Sequence, residues 1–225
     1  MIRLAEVPWS EAQAALAGRP FVALLPTGSV EAHGPHLPLA TDTLLAEAMA
    51  TAAAARLEAA GHAVVLLPAL AYGVTECARD FFGSLSLRPE TLAALVADVA
   101  ANLQRLGATA FGLANCHLEP DHRRTLRAAA QAAAATGLPT CCPDLVRGIY
   151  AQRLGPEFRS GACHAGSFEG SLLLAARPEL VREGARRALA ANPVSLGAAL
   201  AAGKRTFVEA GGPAAYFGEP AAAAP

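Results

Sequence analysis

Acidic and histidine side chains stand two residues apart in two short segments of the chain. Glu31 and His33 form the first pair, and His117 and Glu119 form the second. Side chains two residues apart in extended backbone point to the same side, so each pair offers one carboxylate and one imidazole toward a common point. Asp42 lies at the start of a predicted helix, and its carboxylate can reach that point from another direction.

These five side chains are ligand types that a pair of divalent ions prefers. Two imidazoles and three carboxylates suit Zn²⁺ or Mn²⁺, with one carboxylate bridging the ions, and Fe²⁺ accepts the same ligands. Two ions about 3.5–4 Å apart can share a water molecule and lower its pKa, so no nucleophilic side chain is needed. Each pair alone is weak evidence, and Asp42 alone is typical of a helix N-cap. Their combination at predicted turns favours a two-metal site.

The remaining histidines carry different signals. His164 lies in a third segment that also holds Glu169. His36 is interpreted as a structural, hydrogen-bonding residue near the first pair. His122 is interpreted as a capping or exposed residue at a helix start, and His62 carries no functional signal.

Short apolar runs alternate with alanine-rich helical stretches along the chain. The predicted strands are residues 21–25, 63–67, 109–114 and 138–142, and the predicted helices are residues 42–60, 89–106, 122–136, 167–176 and 179–191. This alternation favours βαβ units and a mainly parallel sheet. Ligands bind beyond the carboxyl ends of strands in such sheets, and the segments with Glu31 and His117 follow the first and third strands.

Length and composition predict one α/β domain over residues 1–225, with a mobile tail at about residues 221–225. A hydrophobic fraction of 53% excludes a disordered chain, and a net charge of -1 argues against a nucleic-acid partner. No apolar stretch approaches the roughly 18 residues of a membrane span, and the first residues do not resemble a signal peptide. A cytoplasmic protein without a membrane partner is therefore predicted. The five cysteines contain no C-x-x-C pair, which argues against a disulfide framework.

The motifs resemble those of the creatininase family, also called creatinine amidohydrolases. The resemblance begins with the segment GSVEAHGPHLPLATD at residues 28–42 and continues through FGSLSL at residues 82–87. It includes HLE at residues 117–119, HAGSFEGS at residues 164–171 and YFGEP at residues 216–220. These matches occur in order and cover most of the chain.

The resemblance implies a three-layer α/β/α sandwich and a di-metal amidohydrolase that forms a homo-oligomer, often a hexamer. It implies that Glu31, Asp42 and His117 bind one ion. It implies that His33 and Glu119 bind the other, with Asp42 bridging. His164 resembles the histidine of the family that contacts substrate and moves protons. Glu169 lies in a second acidic motif, where it is a ligand, a base or a supporting residue.

Residues outside the predicted metal ligands depart from creatininase itself. Leu118 stands where creatininase has tyrosine, and residues 161–164 read GACH where creatininase has an acidic run. Trp9 is the one tryptophan, so the tryptophans that close over creatinine are absent. The expected reaction is therefore hydrolysis of a non-peptide C–N bond in another small molecule, a cyclic or linear amide or a formamide. In that reaction Glu119 or Glu169 accepts the proton of water, and His164 passes a proton to the leaving nitrogen.

The sequence is also compatible with other functions. One is trimming of a small peptide, because the family includes a peptidase of a cofactor-maturation pathway. A second is a non-catalytic relative that binds a metal or small ligand. A third is a cysteine nucleophile, Cys116 beside His117 or Cys163 beside His164. Neighbouring residues in extended backbone face opposite sides, which argues against both of these dyads.

Overall fold

The computed structural model describes all residues from 1 to 225, which divide into two compact units. The first unit comprises Met1–Gly28, Ala46–Val74 and Leu87–Pro143, and is called the sheet unit below. The second comprises Ser29–Leu45, Thr75–Ser86 and Asp144–Pro225, and is called the site unit.

Regular elements alternate along most of the chain. In order they are β1 Ile2–Arg3, α1 Trp9–Leu16, β2 Phe21–Thr27, α2 Thr41–Ala59, β3 Ala63–Leu66, α3 Pro89–Arg105, β4 Ala108–Asn115, α4 Pro120–Ala135, β5 Thr140–Cys141, α5 Gly148–Ala151, α6 Pro156–Ser160, α7 Ser167–Ala176, α8 Glu183–Ala188 and α9 Leu196–Ala201. Two 3-10 turns cover Pro178–Leu180 and Pro220–Ala222.

All five strands belong to the sheet unit and form one parallel sheet. Their order is β1-β3-β2-β4-β5, so β2 lies at the centre between β3 and β4. The pairing of β2 with β4 ends in register at Thr27 and Asn115. The carboxyl ends of these two strands therefore meet at the same edge of the sheet.

Alternating side chains of the central strand pack on opposite faces of the sheet. Phe21, Ala23 and Leu25 of β2 belong to a core cluster with α3 and α4, which contribute residues such as Leu92 and Leu126. Leu24 packs in a second cluster together with residues of α2 and β3, namely Ala50, Ala54, Val64 and Leu66. Because strand side chains alternate in direction, helices cover both faces. The predicted parallel α/β fold with three layers is confirmed in this unit.

The central strand continues through Pro26, where the sequence predicts its end. Pro26 pairs with Ala114 of β4, but the pairing with β3 stops at Leu24 and Leu66. The carbonyl of Pro26 accepts a hydrogen bond from Leu70 N at 2.9 Å, so the missing N–H faces the β3 side, beyond the last paired residue. The proline therefore removes no hydrogen bond from the sheet, which explains why the strand continues.

The long elements occur close to their predicted limits, whereas short ones differ. The predicted helix over residues 179–191 is wrong in its extent: Val181 is extended, and only Glu183–Ala188 is α-helical. β1, α1, α5, α6 and α9 have no counterpart among the predictions. No helix is both long and apolar enough to cross a lipid bilayer.

The site unit contains short helices around a small aromatic core. Phe207 and Phe217 are buried there with alanines of several loops, and their ring centroids lie 5.9 Å apart. Arg186 of α8 is buried, and its guanidinium donates to the carbonyls of Pro220 and Ala221 near the C-terminus. Mobility of residues 221–225 stays a prediction.

Candidate metal centre

His33 is fully buried, and one edge of its ring faces three carboxylates of the site unit. Its Nε2 lies 3.2 Å from Asp42 Oδ1, 3.7 Å from Glu169 Oε2 and 3.9 Å from Glu31 Oε1. Nε2 makes no hydrogen bond of acceptable geometry with any of them. At the other edge, Nδ1 lies 3.2 Å from the carbonyl of Glu31, to which it donates. Because Nδ1 carries the proton of the neutral ring, the lone pair of Nε2 points at the three carboxylates. A cation placed between these groups stabilises them.

A tight turn presents Glu31 and His33. Gly34, directly after the pair, has φ +64°, and a Cβ there would lie 2.7 Å from His36 Nδ1, so both conformation and space require glycine. Thr41 then closes the segment by donating its hydroxyl to Pro38 O at 2.6 Å. α2 begins at Thr41, which places Asp42 in the first helical turn.

Two hydroxyl groups orient the carboxylates that flank His33. Thr75 Oγ1 donates to Glu31 Oε2, and Ser29 Oγ donates to Asp42 Oδ2 at 2.7 Å. Each carboxylate therefore directs its other oxygen toward His33. Sequence reasoning missed both hydroxyls, because Thr75 belongs to a distant segment and a lone serine carries no chemical signal.

The charges around His33 favour a positively charged group at this position. Burial lowers the pKa of His33, but the carboxylates of Asp42, Glu169 and Glu31 outweigh this effect and raise the pKa to about 10. A proton thus occupies the position when no other cation does. Two sets of three buried residues in this unit have ligand atoms within 4.8 Å of one another. One set is Glu31, His33 and His164, and the other is His33, Asp42 and Glu169.

His164 is held beside His33 with a defined ring orientation. Its Nε2 donates to the carbonyl of Ala32 at 2.9 Å, and its Nδ1 lies 3.8 Å from Glu31 Oε1. The ring packs at a tilt between His33 and Phe207, with centroids 4.4 Å and 4.2 Å away. Burial and the positive charge of protonated His33 lower the pKa of His164 to about 4. The ring is therefore neutral at pH 7 and can accept a proton at Nδ1.

Glu169 completes the buried cluster from the first turn of α7. Its Oε2 accepts a hydrogen bond from the backbone N–H of Ala165 at 2.6 Å. Burial raises the pKa of Glu169 to about 8, with further contributions from the carboxylates of Asp42 and Glu31. This carboxyl can hold a proton near neutral pH, as a general acid or base must.

His117 and Glu119 belong to the sheet unit, directly after β4. Both are buried, and Glu119 stands immediately before α4. His117 Nε2 donates to the carbonyl of Val74 at 2.7 Å, which leaves Nδ1 as the nitrogen that carries the lone pair. A backbone partner of this kind fixes the tautomer and orientation of metal-binding histidines. The assignment of His117 and Glu119 as metal ligands stays a prediction.

His122 is fully buried, so its interpretation as an exposed or capping residue is wrong. Its Nδ1 accepts from Val74 N at 3.2 Å, and its Nε2 donates to Asn115 Oδ1 at 3.1 Å. Asn115 in turn bonds both the N–H and the carbonyl of His117. His122 therefore supports the backbone that carries His117. Its position in α4 gave no sequence signal for this role, because its partners Val74 and Asn115 lie on two other segments.

The ring of the remaining buried histidine, His36, is neutral at pH 7, and Cys163 is not disposed to react as a nucleophile. Burial, followed by the charges of His33 and Arg186, lowers the pKa of His36 to about 4. Burial and the carboxylates of Glu169 and Glu157 raise the pKa of the Cys163 thiol to about 12. This thiol stays protonated at neutral pH, which argues against it as a nucleophile.

Sequence and structure comparisons match the features described above. The family model described as creatinine amidohydrolase matches residues 5–225. The chain belongs to the creatininase family. A creatinine amidohydrolase of Pseudomonas putida is 31% identical over 192 residues, which cover 78% of this chain and 72% of that protein.

Peptidases are also among the relatives of this chain. A mycofactocin precursor peptide peptidase of Mycobacterium ulcerans is 31% identical over 204 residues, covering 89% of this chain and 75% of the relative. The peptidase of the same name from Mycobacterium tuberculosis is 41% identical over 80 residues, but the match spans only 33% of this chain and 32% of that protein.

Solved creatininase structures share the fold. A manganese form superposes with a TM-score of 0.75 at 25% identity, covering 99% of this chain and 90% of the other. A Zn–Zn form of a creatininase mutant gives a TM-score of 0.74 at 25% identity, covering 98% and 88%. The names of these two structures state that the relatives contain manganese and zinc.

Proposed function

We propose that this protein is a metal-dependent amidohydrolase that cleaves a C–N bond in a small molecule with water activated by two divalent ions. The observation that carries the proposal is the fully buried Nε2 of His33, which faces the carboxylates of Asp42, Glu169 and Glu31 without a hydrogen bond. Zn²⁺ and Mn²⁺ accept this combination of imidazole and carboxylate ligands, and solved relatives are named for both metals.

The metal ligands proposed are Glu31, His33, Asp42, His117 and Glu119. The first three fit the group on structural grounds, because their ligand atoms gather in the site unit and hydroxyls orient two of them. His117 and Glu119 are added from the family resemblance. The bound ions would supply Lewis acidity, which acidifies water and polarises the scissile carbonyl.

His164 and Glu169 are proposed to move protons. The neutral ring of His164 offers Nδ1 as acceptor while the Ala32 carbonyl holds its other nitrogen, so a proton taken at Nδ1 can pass to the leaving nitrogen. The pKa of Glu169 is raised to about 8, so this carboxyl donates a proton near neutral pH and accepts one when it is ionised. Glu119 is the other candidate for accepting the proton of water. Phe207 covers one face of the His164 ring and limits access of bulk water to it.

A screen of substrates tests the reaction. Cyclic amides, formamides and short peptides are incubated with Zn²⁺- or Mn²⁺-loaded protein, with a chelated sample as control. Release of an amine from a non-peptide substrate, lost on chelation and restored by metal, is the expected result. Activity that survives complete metal removal would contradict the proposal.

Variants test the ligand assignment independently of the substrate. His117→Ala is expected to lose at least one ion by elemental analysis, whereas His62→Ala, an exposed histidine of the same unit, keeps both. A His117→Ala protein that retains both ions would remove His117 from the ligand set.

Peptide trimming is the second candidate, favoured by the peptidase that is 31% identical over 89% of this chain. The peptide arm of the same screen distinguishes the two reactions. A non-catalytic metal-binding role would give stoichiometric metal without turnover of any substrate. The homo-oligomer, a hexamer in the family resemblance, and the cytoplasmic location remain predictions, which size-exclusion chromatography and cell fractionation test.

A further inference from the structure

A single carboxylate outside the candidate metal centre gathers three backbone N–H groups of the site unit. Glu157, on the short helix α6, accepts from Ser167 N at 2.9 Å, Phe168 N at 2.9 Å and Glu219 N at 2.7 Å. The first two donors share the two oxygens of the carboxylate, and the third comes from the segment that precedes the C-terminus. None of the motifs recognised in the sequence includes Glu157.

Two of these donors are the first N–H groups of α7, which have no partner within the helix. A side chain at the N-cap usually satisfies them, but the N-cap here is Gly166, which has none. A Cβ at Gly166 would lie 2.5 Å from Glu157 Oε1, so glycine leaves room for the incoming carboxylate. Gly218 also lies against Glu157, and a Cβ there would overlap the same carboxylate. Glu157 thus caps α7 from a different helix.

The capped turn positions two members of the candidate centre. Glu169 lies two residues after Ser167, and its Oε2 reaches back to Ala165 N at 2.6 Å. The carbonyl of His164, at the start of the same turn, accepts from Phe217 N at 2.7 Å. Phe217 stands two residues before Glu219, the third donor to Glu157. The carboxylate of Glu157 therefore anchors two segments: the start of α7, which carries Glu169, and the segment from Phe217 to Glu219, which contacts the carbonyl of His164.

We propose that Glu157 is a positioning residue for the hydrolytic reaction: it fixes the start of α7 and thereby the placement of Glu169 and His164. This inference rests on the proposed function for its kinetic test. Groups that support the ligands and bases of a metal centre typically change activity or metal affinity about 10–100-fold when altered. Misplacement of a reacting group by about 1 Å has a similar effect on turnover.

Glu157→Gln is the first test, because it keeps the size of the side chain and removes its charge. The rings of Phe158 and Phe168 pack 4.8 Å apart between α6 and α7, so we expect the variant to fold. Its kcat is expected to fall about 10–100-fold with little change in KM. The matched control is Glu90→Gln, which removes an exposed carboxylate from the first turn of α3 in the sheet unit and is expected to leave kcat unchanged.

A double variant separates positioning from general destabilisation. In a His164→Ala background, Glu157→Gln is expected to lower kcat much less than in the natural chain, because one group through which it acts is gone. An effect of equal size in both backgrounds would overturn the proposed route through His164. A wild-type kcat and KM for Glu157→Gln would overturn the proposal as a whole.

Hydrogen exchange of the metal-free protein gives a readout that needs no substrate. The amides of Ala165, Ser167 and Phe168 are expected to exchange at least tenfold faster in Glu157→Gln than in the natural chain, while amides of α3 stay unchanged. Unchanged protection at all three amides would contradict the proposal even if no amide substrate is found. If the glutamine variant does not fold, Glu157→Asp is measured in its place, since it keeps the charge but shortens the reach, and the same increase in exchange is expected.

Discussion

Metal binding to this protein should tighten steeply as the pH rises, because an incoming ion must displace a proton from His33. The pKa of His33 is raised to about 10, so at pH 8 the proton is favoured about 100-fold over the neutral ring. At 1.36 kcal/mol per pH unit, this preference opposes metal binding by about 3 kcal/mol. The apparent association constant should rise about tenfold per pH unit between pH 8 and 10. Below pH 8 the slope should be steeper, because Glu169 also carries a proton there.

Competition titrations with a chromophoric chelator at pH 7, 8 and 9 measure this slope, after correction for the protonation of the chelator. Calorimetry in two buffers of different ionisation heat counts the protons released. His62→Gln serves as the control, because His62 is an exposed histidine of the sheet unit and should not change either result. A metal affinity that is equal at pH 7 and pH 9, or binding without proton release, would refute the assignment of His33 as a ligand that is protonated in the metal-free protein.

Three further outcomes are expected. Replacing His164 with alanine should lower kcat about 10²–10⁴-fold and leave the metal content intact, and loss of metal from this variant would show His164 to be a ligand instead. Thiol alkylation should leave activity unchanged, because the pKa of Cys163 is raised to about 12, whereas inactivation by an alkylating reagent but not by a chelator would favour cysteine catalysis. The free energy of unfolding of the metal-free protein, measured in urea, should fall between pH 6.5 and 10. The pKa of His33 is raised on folding, so its contribution is present below pH 6.5 and is lost as the pH rises through about 10, and a rise over this interval would contradict the assignment.

The long elements of the sheet unit could be predicted because their apolar patterns extend over many residues. α3 and α4 show a helical period that ends at glycine, and β2 is a continuous apolar run. Because of Pro26, the sequence predicts the end of β2 at residue 25, which is too early. The sequence does not reveal that β3 stops pairing before it reaches the side of β2 on which the proline lacks its N–H. Helices of four to six residues, such as α6, carry too few turns for a period to be recognised.

The acidic and histidine side chains of the candidate metal centre could also be predicted, but the residues that orient them could not. Short spacing revealed Glu31 and His33, because both side chains come from a single turn. Thr75, which orients Glu31, and Glu157, which caps α7, reach their partners across 44 and 10 residues of sequence. His122 was misjudged for the same reason, since its partners Val74 and Asn115 meet it only in the folded chain.

A crystal structure of metal-loaded protein, with anomalous data collected on both sides of the zinc or manganese absorption edge, would show whether two ions bind among these side chains. Two anomalous peaks are expected, with Glu31, His33 and Asp42 among the ligands and Asp42 between the two ions. Fully loaded crystals whose anomalous peaks lie away from these side chains, or that show none, would contradict it.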